Sequence, residues 1–144
     1  MDQMIGNLFK PLALSNRLAF PLLLLRCVAG LAFMHHGFGK IQNPLAWMGP
    51  EAVVPSFFQA AAALSEFVGG LCWMLGLLTP LASFGIASTM AFAVWTHAVI
   101  LGQPFVTKGG GSYELALLFF SIAVLLLLAG PGRFSLDRLI FGEK

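Results

Sequence analysis

Residues 67–107 read FVGGLCWMLGLLTPLASFGIASTMAFAVWTHAVILGQPFVT, and from Phe67 to Thr107 there is no Asp, Glu, Lys or Arg. A membrane-spanning helix needs about 20 predominantly apolar residues. The uncharged stretch is roughly twice that length, so the chain has to cross, turn and cross back within it. Thr79-Pro80 marks the turn, because proline cannot extend a helix there and starts the next one well. The apolar runs are continuous rather than alternating, which selects helices over the strands of a membrane barrel.

Outward from this pair, two more runs have the same character. The spans are expected at residues 18–39, 57–78, 81–101 and 113–129, separated by Asn43-Pro44, Gly49-Pro50, Gly102-Gln103-Pro104, Gly109-Gly110-Gly111 and Gly130-Pro131-Gly132. Composition agrees: of 144 residues, 58% are apolar and 10% charged. A soluble domain carries about 25% charged residues, and one this small could not bury so much apolar surface. The expected fold is therefore all-α, an integral membrane four-helix bundle in a single domain over residues 1–144, in contact with the lipid bilayer.

Both ends of the chain carry short amphipathic segments. Met4, Ile5, Leu8, Phe9 and Leu12 recur at helical spacing before the first span. After the last, Ser135 can cap a short helix with Leu136, Leu139 and Ile140 on one side and Asp137 and Arg138 on the other. Such segments lie in the membrane interface. Lys10, Arg17, Arg133, Arg138 and Lys144 fall on the side of the termini, whereas Lys40 and Lys108 fall on the opposite side. The positive-inside rule then puts both termini in the cytoplasm. Lys10 and Arg17 precede an apolar run as in a secretion signal, but Arg26 interrupts that run early, so the first span is expected to be retained.

Several functions are disfavoured. A net charge of +2 with no basic run argues against nucleic acid. Cys27 and Cys72 stand far apart in apolar segments and read as small hydrophobes rather than a redox pair. The stretch Lys108–Gly111 lacks the order of a phosphate-binding loop and reads as a turn. No metal is expected: the histidines and carboxylates have no tight ligand spacing, and Arg26 and Lys40 would repel a cation.

The informative residues are the ionisable ones inside the membrane, each costing about 2.5–3.5 kcal/mol on insertion scales. Arg26 lies ~12 Å deep from the terminal side and Glu66 ~14 Å deep from the other, at 1.5 Å per residue. In a core ~30 Å thick both are near the midplane, which predicts an Arg26–Glu66 ion pair. Helical phase places Arg26, Phe33, Gly37 and Lys40 on one stripe, with His36 at its edge and His35 pointing away. Gln59 shares the face of Glu66, and Gly69-Gly70 allows close helix approach. These residues predict a polar cavity in the outer half of the bundle, lined by Arg26, His36, Lys40, Gln59, Glu66, His97 and Glu114, as ligand-binding or proton-relay groups. The alternative is that they only pin helices together, but interhelical hydrogen bonds average ~0.6 kcal/mol, little against the insertion cost.

Taken in order, Arg26, His36-Gly37-Phe38-Gly39-Lys40, Ser65-Glu66-Phe67-Val68-Gly69-Gly70, His97, Tyr113-Glu114 and Gly130-Pro131-Gly132-Arg133-Phe134-Ser135-Leu136-Asp137 resemble the DoxX family of small bacterial four-helix membrane proteins. The resemblance runs from about Arg17 to Ile140 and implies a multi-pass protein of the bacterial inner membrane. The related DoxD protein is a subunit of a thiosulfate:quinone oxidoreductase, and some DoxX proteins are associated with oxidative-stress complexes. Three functions stay open. One is a membrane subunit of a quinone-linked redox complex, needing a partner redox protein because no haem pair, flavin motif or cysteine couple stands in the chain. The second is a carrier or channel for a small solute, which with four spans would require a homo-oligomer. The third is a structural anchor without catalysis.

Overall fold

The computed structural model describes residues 9–143. Among these residues the secondary structure is entirely helical: α1 (Asn16–Gln42), α2 (Ser56–Leu75), α3 (Thr79–Trp95, prolonged by a π-helical turn at Thr96–Ile100), α4 (Glu114–Ala129) and α5 (Leu136–Phe141). Three of these, α1, α2 and α3 with its π turn, are long and apolar enough to cross a membrane, and α4 is a shorter apolar helix. The expected spans and the observed helices differ by three residues or fewer at each boundary. The fold is a helical membrane bundle.

The turn between α2 and α3 falls at Gly76–Leu78, just before the expected Thr79-Pro80. Gly76 takes φ 64, the left-handed conformation that closes a helix, and Leu77 N–H returns to the Cys72 carbonyl at 2.9 Å. Pro80 then lies in the first turn of α3, where its missing N–H leaves nothing unbonded. The segment of the N-terminal amphipathic helix formed by Met4, Ile5 and Leu8 lies outside the described residues. Ser135 caps α5 as anticipated, its hydroxyl accepting from Arg138 N–H at 3.3 Å.

Helix α1 packs along α2, α2 along α3, and α3 along α4. Glycines set the first of these contacts. A Cβ on Gly30 would stand 2.5 Å from the Gly70 carbonyl oxygen, and one on Gly37 2.5 Å from Phe67 N. Backbones that touch gain dispersion contacts without losing side-chain entropy, which matters where lipid offers no hydrophobic drive. The centre is filled by Phe33, Trp73, Ile86, Met90, Ala123 and Leu126. Phe33 meets Trp73 edge-on at 5.4 Å and Phe119 at 4.7 Å, while Trp73 Nε1–H donates to Ser83 Oγ at 2.9 Å. Leu18, Leu24, Val28, Leu64, Phe84, Leu118 and Leu128 face outward, the apolar exterior of a body solvated by lipid.

Two expectations about charged residues are corrected at the end of the bundle that holds α5. Arg26 does not pair with Glu66. It is fully buried, and its guanidinium donates to four carbonyls: Trp73 (2.8 Å from Nε), Met74 (3.3 Å) and Phe134 (3.0 Å) from Nη2, and Pro131 from Nη1. It thereby satisfies end carbonyls of α2 and binds the 130–135 loop to α1. The depth argument failed because the Gly30–Gly70 and Gly37–Phe67 contacts set a register in which Arg26 lies level with Trp73, seven residues along α2 from Glu66. Asp137, expected on the water-facing side of α5, is fully buried as well. Its carboxylate accepts from Leu78 N–H at 2.6 Å and Thr79 N–H at 2.8 Å, capping α3 from another helix. Leu139 and Ile140 remain exposed on α5, as an interfacial segment requires.

Candidate functional site

The opposite end of the bundle, away from α5, contains a cavity of about 1190 Å³. It is framed by the second half of α1, the first half of α2, α3 from Phe84 to His97 and the start of α4, and roofed by the 43–55 loop. His36, Lys40, Gln59, Glu66 and His97, of the seven residues expected there, all line it.

Lys40 and Glu66 form its most polar element. Lys40 Nζ lies 2.5 and 2.6 Å from the two carboxylate oxygens of Glu66. The carboxylate is buried, whereas the lysine side chain keeps a quarter of its surface exposed toward the cavity. Gly37 brings the helices close enough for this contact, since its missing Cβ would otherwise meet the α2 backbone at Glu66–Phe67. The ring of Trp47 lies 4.5 Å from the same ammonium, a cation–π contact. Trp47 was absent from the sequence expectation; an aromatic residue in the loop following a membrane lysine was the only signal for it.

Gln59 is buried and belongs to the roof. Its side-chain oxygen accepts from Met48 N–H (3.2 Å), its amide donates to the Val54 carbonyl (2.8 Å), and its own carbonyl accepts from Trp47 Nε1–H (2.9 Å). One residue of α2 therefore ties the loop down at three points, which also sets the position of Trp47 above Lys40.

His97 sits in the π-helical turn, an irregularity often found at functional sites. Its Nδ1 is 2.7 Å from Gln103 Oε1, a contact that fixes the orientation of the ring. Gln103 N–H also donates to the His97 carbonyl at 2.9 Å, and the absence of a side chain at Gly111 leaves room for the Gln103 amide. Beside it, Thr96 lines the cavity with a buried hydroxyl that has no protein partner. His36 is exposed at the cavity margin with its ring edge-on to Phe119 at 6.4 Å; His35 is exposed and does not line the cavity.

Two expected members lie elsewhere. Arg26 is at the far end, held by carbonyls. Glu114 is exposed on α4 and does not line the cavity. The inner stripe of α4 runs through Ala116, Phe119, Ala123 and Leu126, and at ~100° per residue Glu114 falls nearly opposite it. Among the described residues no group of three or more His, Cys, Asp or Glu side chains is placed to hold a metal ion. Cys27 and Cys72 are free and half-buried.

The arrangement offers an ammonium, a carboxylate, two imidazoles and hydroxyls within walls that are mostly apolar, with Phe33, Met90, Ala93 and Phe119 among them. It can hold a molecule with a small polar head and an apolar body. Comparison with known proteins gives the lineage. An uncharacterized protein of Haemophilus influenzae is 31% identical over 119 residues, covering 81% of this chain and 88% of that protein. A Bacillus subtilis protein named "Putative oxidoreductase CatD" is 33% identical over 125 residues, covering 85% and 88% respectively. No solved structure gave a significant match. The DoxX family model matches residues 21–98, and with relatives of this identity and coverage the chain belongs to the DoxX family.

Proposed function

We propose that the protein is the membrane subunit of a quinone-linked redox complex and that the cavity binds the quinone. The observation that carries this reading is the cavity itself: apolar walls within a membrane bundle, with Lys40, Glu66 and His97 presented from three different helices. A quinone head has two carbonyl acceptors, and its reduction to the quinol takes up two electrons and two protons. The electrons come from a partner redox protein. Lys40 supplies a donor for one carbonyl, and His97, oriented by Gln103, presents its imidazole toward the second oxygen as the proton-transfer group. The name of the B. subtilis relative is in line with an oxidoreductase role. We further place the chain in the bacterial inner membrane with α5 and the N-terminal side in the cytoplasm, which puts the cavity toward the periplasmic side.

Quinones quench tryptophan fluorescence at short range, and Trp47 lines the cavity. Purified protein in nanodiscs, titrated with menadione, should show saturable quenching that Trp47→Phe largely removes. Lys40→Met and His97→Ala should each weaken binding at least tenfold, while His35→Ala should leave it unchanged. Quenching that does not saturate, or that is insensitive to Lys40 and His97, would remove the quinone reading.

A further inference from the structure

The seams between neighbouring helices are not equally closed. Helices α1 and α2 touch backbone to backbone from Gly30–Gly70 up to Gly37–Phe67. Between α2 and α3, Gly69 packs against Ile86 and Gly85 against Ser65, where a Cβ on Gly85 would stand 2.8 Å from the hydroxyl. Beyond Ser65 and Gly85 both helices line the cavity. The cavity passes between them, lined by Phe58, Ala61 and Ala62 from α2 and by Ser88, Thr89 and Phe92 from α3.

This gap opens to the outside of the bundle. Phe58, Phe84 and Phe92 border the cavity and are 61%, 62% and 49% exposed. Phe84 and Phe92 lie about five and thirteen residues into α3, ~8 and ~20 Å along its axis. Within a hydrocarbon layer ~30 Å thick, what reaches the gap from the side is chain-like hydrocarbon rather than water. The hydroxyls along it do not oppose this: Ser88 and Thr89 donate to their own helix at Phe84 and Gly85, 2.9 and 3.0 Å away.

We propose that the cleft between α2 and α3 is a binding subsite for the hydrocarbon tail of the ligand whose head occupies the polar end of the cavity. It rests on the quinone reading for the identity of the head. The tail lies between Ala62 and Thr89 and leaves the bundle past Phe58, Phe84 and Phe92, so the ligand enters from the bilayer and not from the loop side. The small residues Ala61 and Ala62 on the α2 side leave room there for an unbranched or isoprenoid chain.

Two measurements test it. In nanodiscs, wild-type protein should bind prenylated menaquinone-4 at least tenfold tighter than tail-less menadione, after correction for partitioning. Ala62→Phe, which fills the cleft, should abolish that preference and change menadione affinity less than twofold. Equal binding of the two quinones by the wild type, or a preference that survives Ala62→Phe, overturns the proposal. The second measurement does not depend on quinone. A bimane label at Thr89→Cys, in a background without Cys27 and Cys72, is placed in bilayers of lipids brominated along their acyl chains. Quenching close to that at outward-facing Ser121→Cys supports a cleft open to hydrocarbon. Quenching as low as at buried Ala123→Cys overturns it, whatever the quinone assay gives.

Discussion

The structure pairs Glu66 with Lys40 and leaves Arg26 to backbone carbonyls, and double-mutant cycles distinguish this from an Arg26–Glu66 pair. Arg26 bonds the carbonyl of Trp73, seven positions further along α2 than Glu66, which is ~10 Å along the axis. Sites separated by more than about 7–10 Å with no shared partner add within ~0.5 kcal/mol. Arg26→Met leaves the carbonyls of Pro131, Phe134 and Met74 without the guanidinium. At about 1 kcal/mol or more per orphaned group, offset by the charge no longer buried, the loss should be ~2–4 kcal/mol. Breaking a buried ion pair costs about 3–5 kcal/mol, and Lys40 is partly exposed, so Glu66→Gln or Lys40→Met should cost ~1–3 kcal/mol. The Lys40→Met/Glu66→Gln double mutant should then recover at least ~1 kcal/mol of the summed losses. The Arg26→Met/Glu66→Gln pair should be additive. The assay is reversible unfolding in mixed detergent micelles with increasing SDS, followed by far-UV circular dichroism. Coupling of ~1 kcal/mol or more between Arg26 and Glu66, with additivity between Lys40 and Glu66, would refute the reasoning.

Three further outcomes are expected. Asp137→Ala removes the acceptor for two α3 amides and should destabilise by ~1–3 kcal/mol in the same SDS assay, whereas Leu78→Gly, relieving φ 46 at the turn, should be neutral or stabilising. Gly70→Ala puts a Cβ 2.6 Å from the Gly30 carbonyl oxygen and should lower the thermal midpoint sharply; Gly39→Ala, with open space around it, should not. In whole cells without Cys27 and Cys72, an impermeant maleimide should label Pro50→Cys and Gly110→Cys but not Gly142→Cys. Labelling at Gly142 alone would invert the membrane orientation.

Much of the cavity was legible before any coordinates, for a simple reason. Ionisable residues inside a membrane are too costly to stand without partners, so His36, Lys40, Glu66 and His97 announced themselves, and helical phase turned the first three inward. Gln59 was found by phase too, although it serves as the tie for the roof. The residues that escaped were neutral or in loops: Trp47 over the lysine, Gln103 behind the histidine, and Thr96 in the π turn. None of these carries an insertion cost large enough to be noticed in a sequence. Glu114 was misplaced because a carboxylate in the first turn of a helix needs no interior partner: it stabilises that end against the helix dipole from outside.

What the amino-acid sequence by itself determined is the set of crossings. Hydrophobic length and the Gly and Pro breaks are local quantities, and the bilayer converts them directly into helices because every backbone group must be bonded within its own segment. Only the tertiary structure decided how far each helix slides along its neighbour. That register depends on where glycines let backbones meet, Gly30 on Gly70 and Gly37 on Phe67. Arg26 meets α2 at Trp73, seven residues from Glu66, and Glu66 is left to Lys40. Register is a property of two packed surfaces at once, and no single segment of the chain carries it.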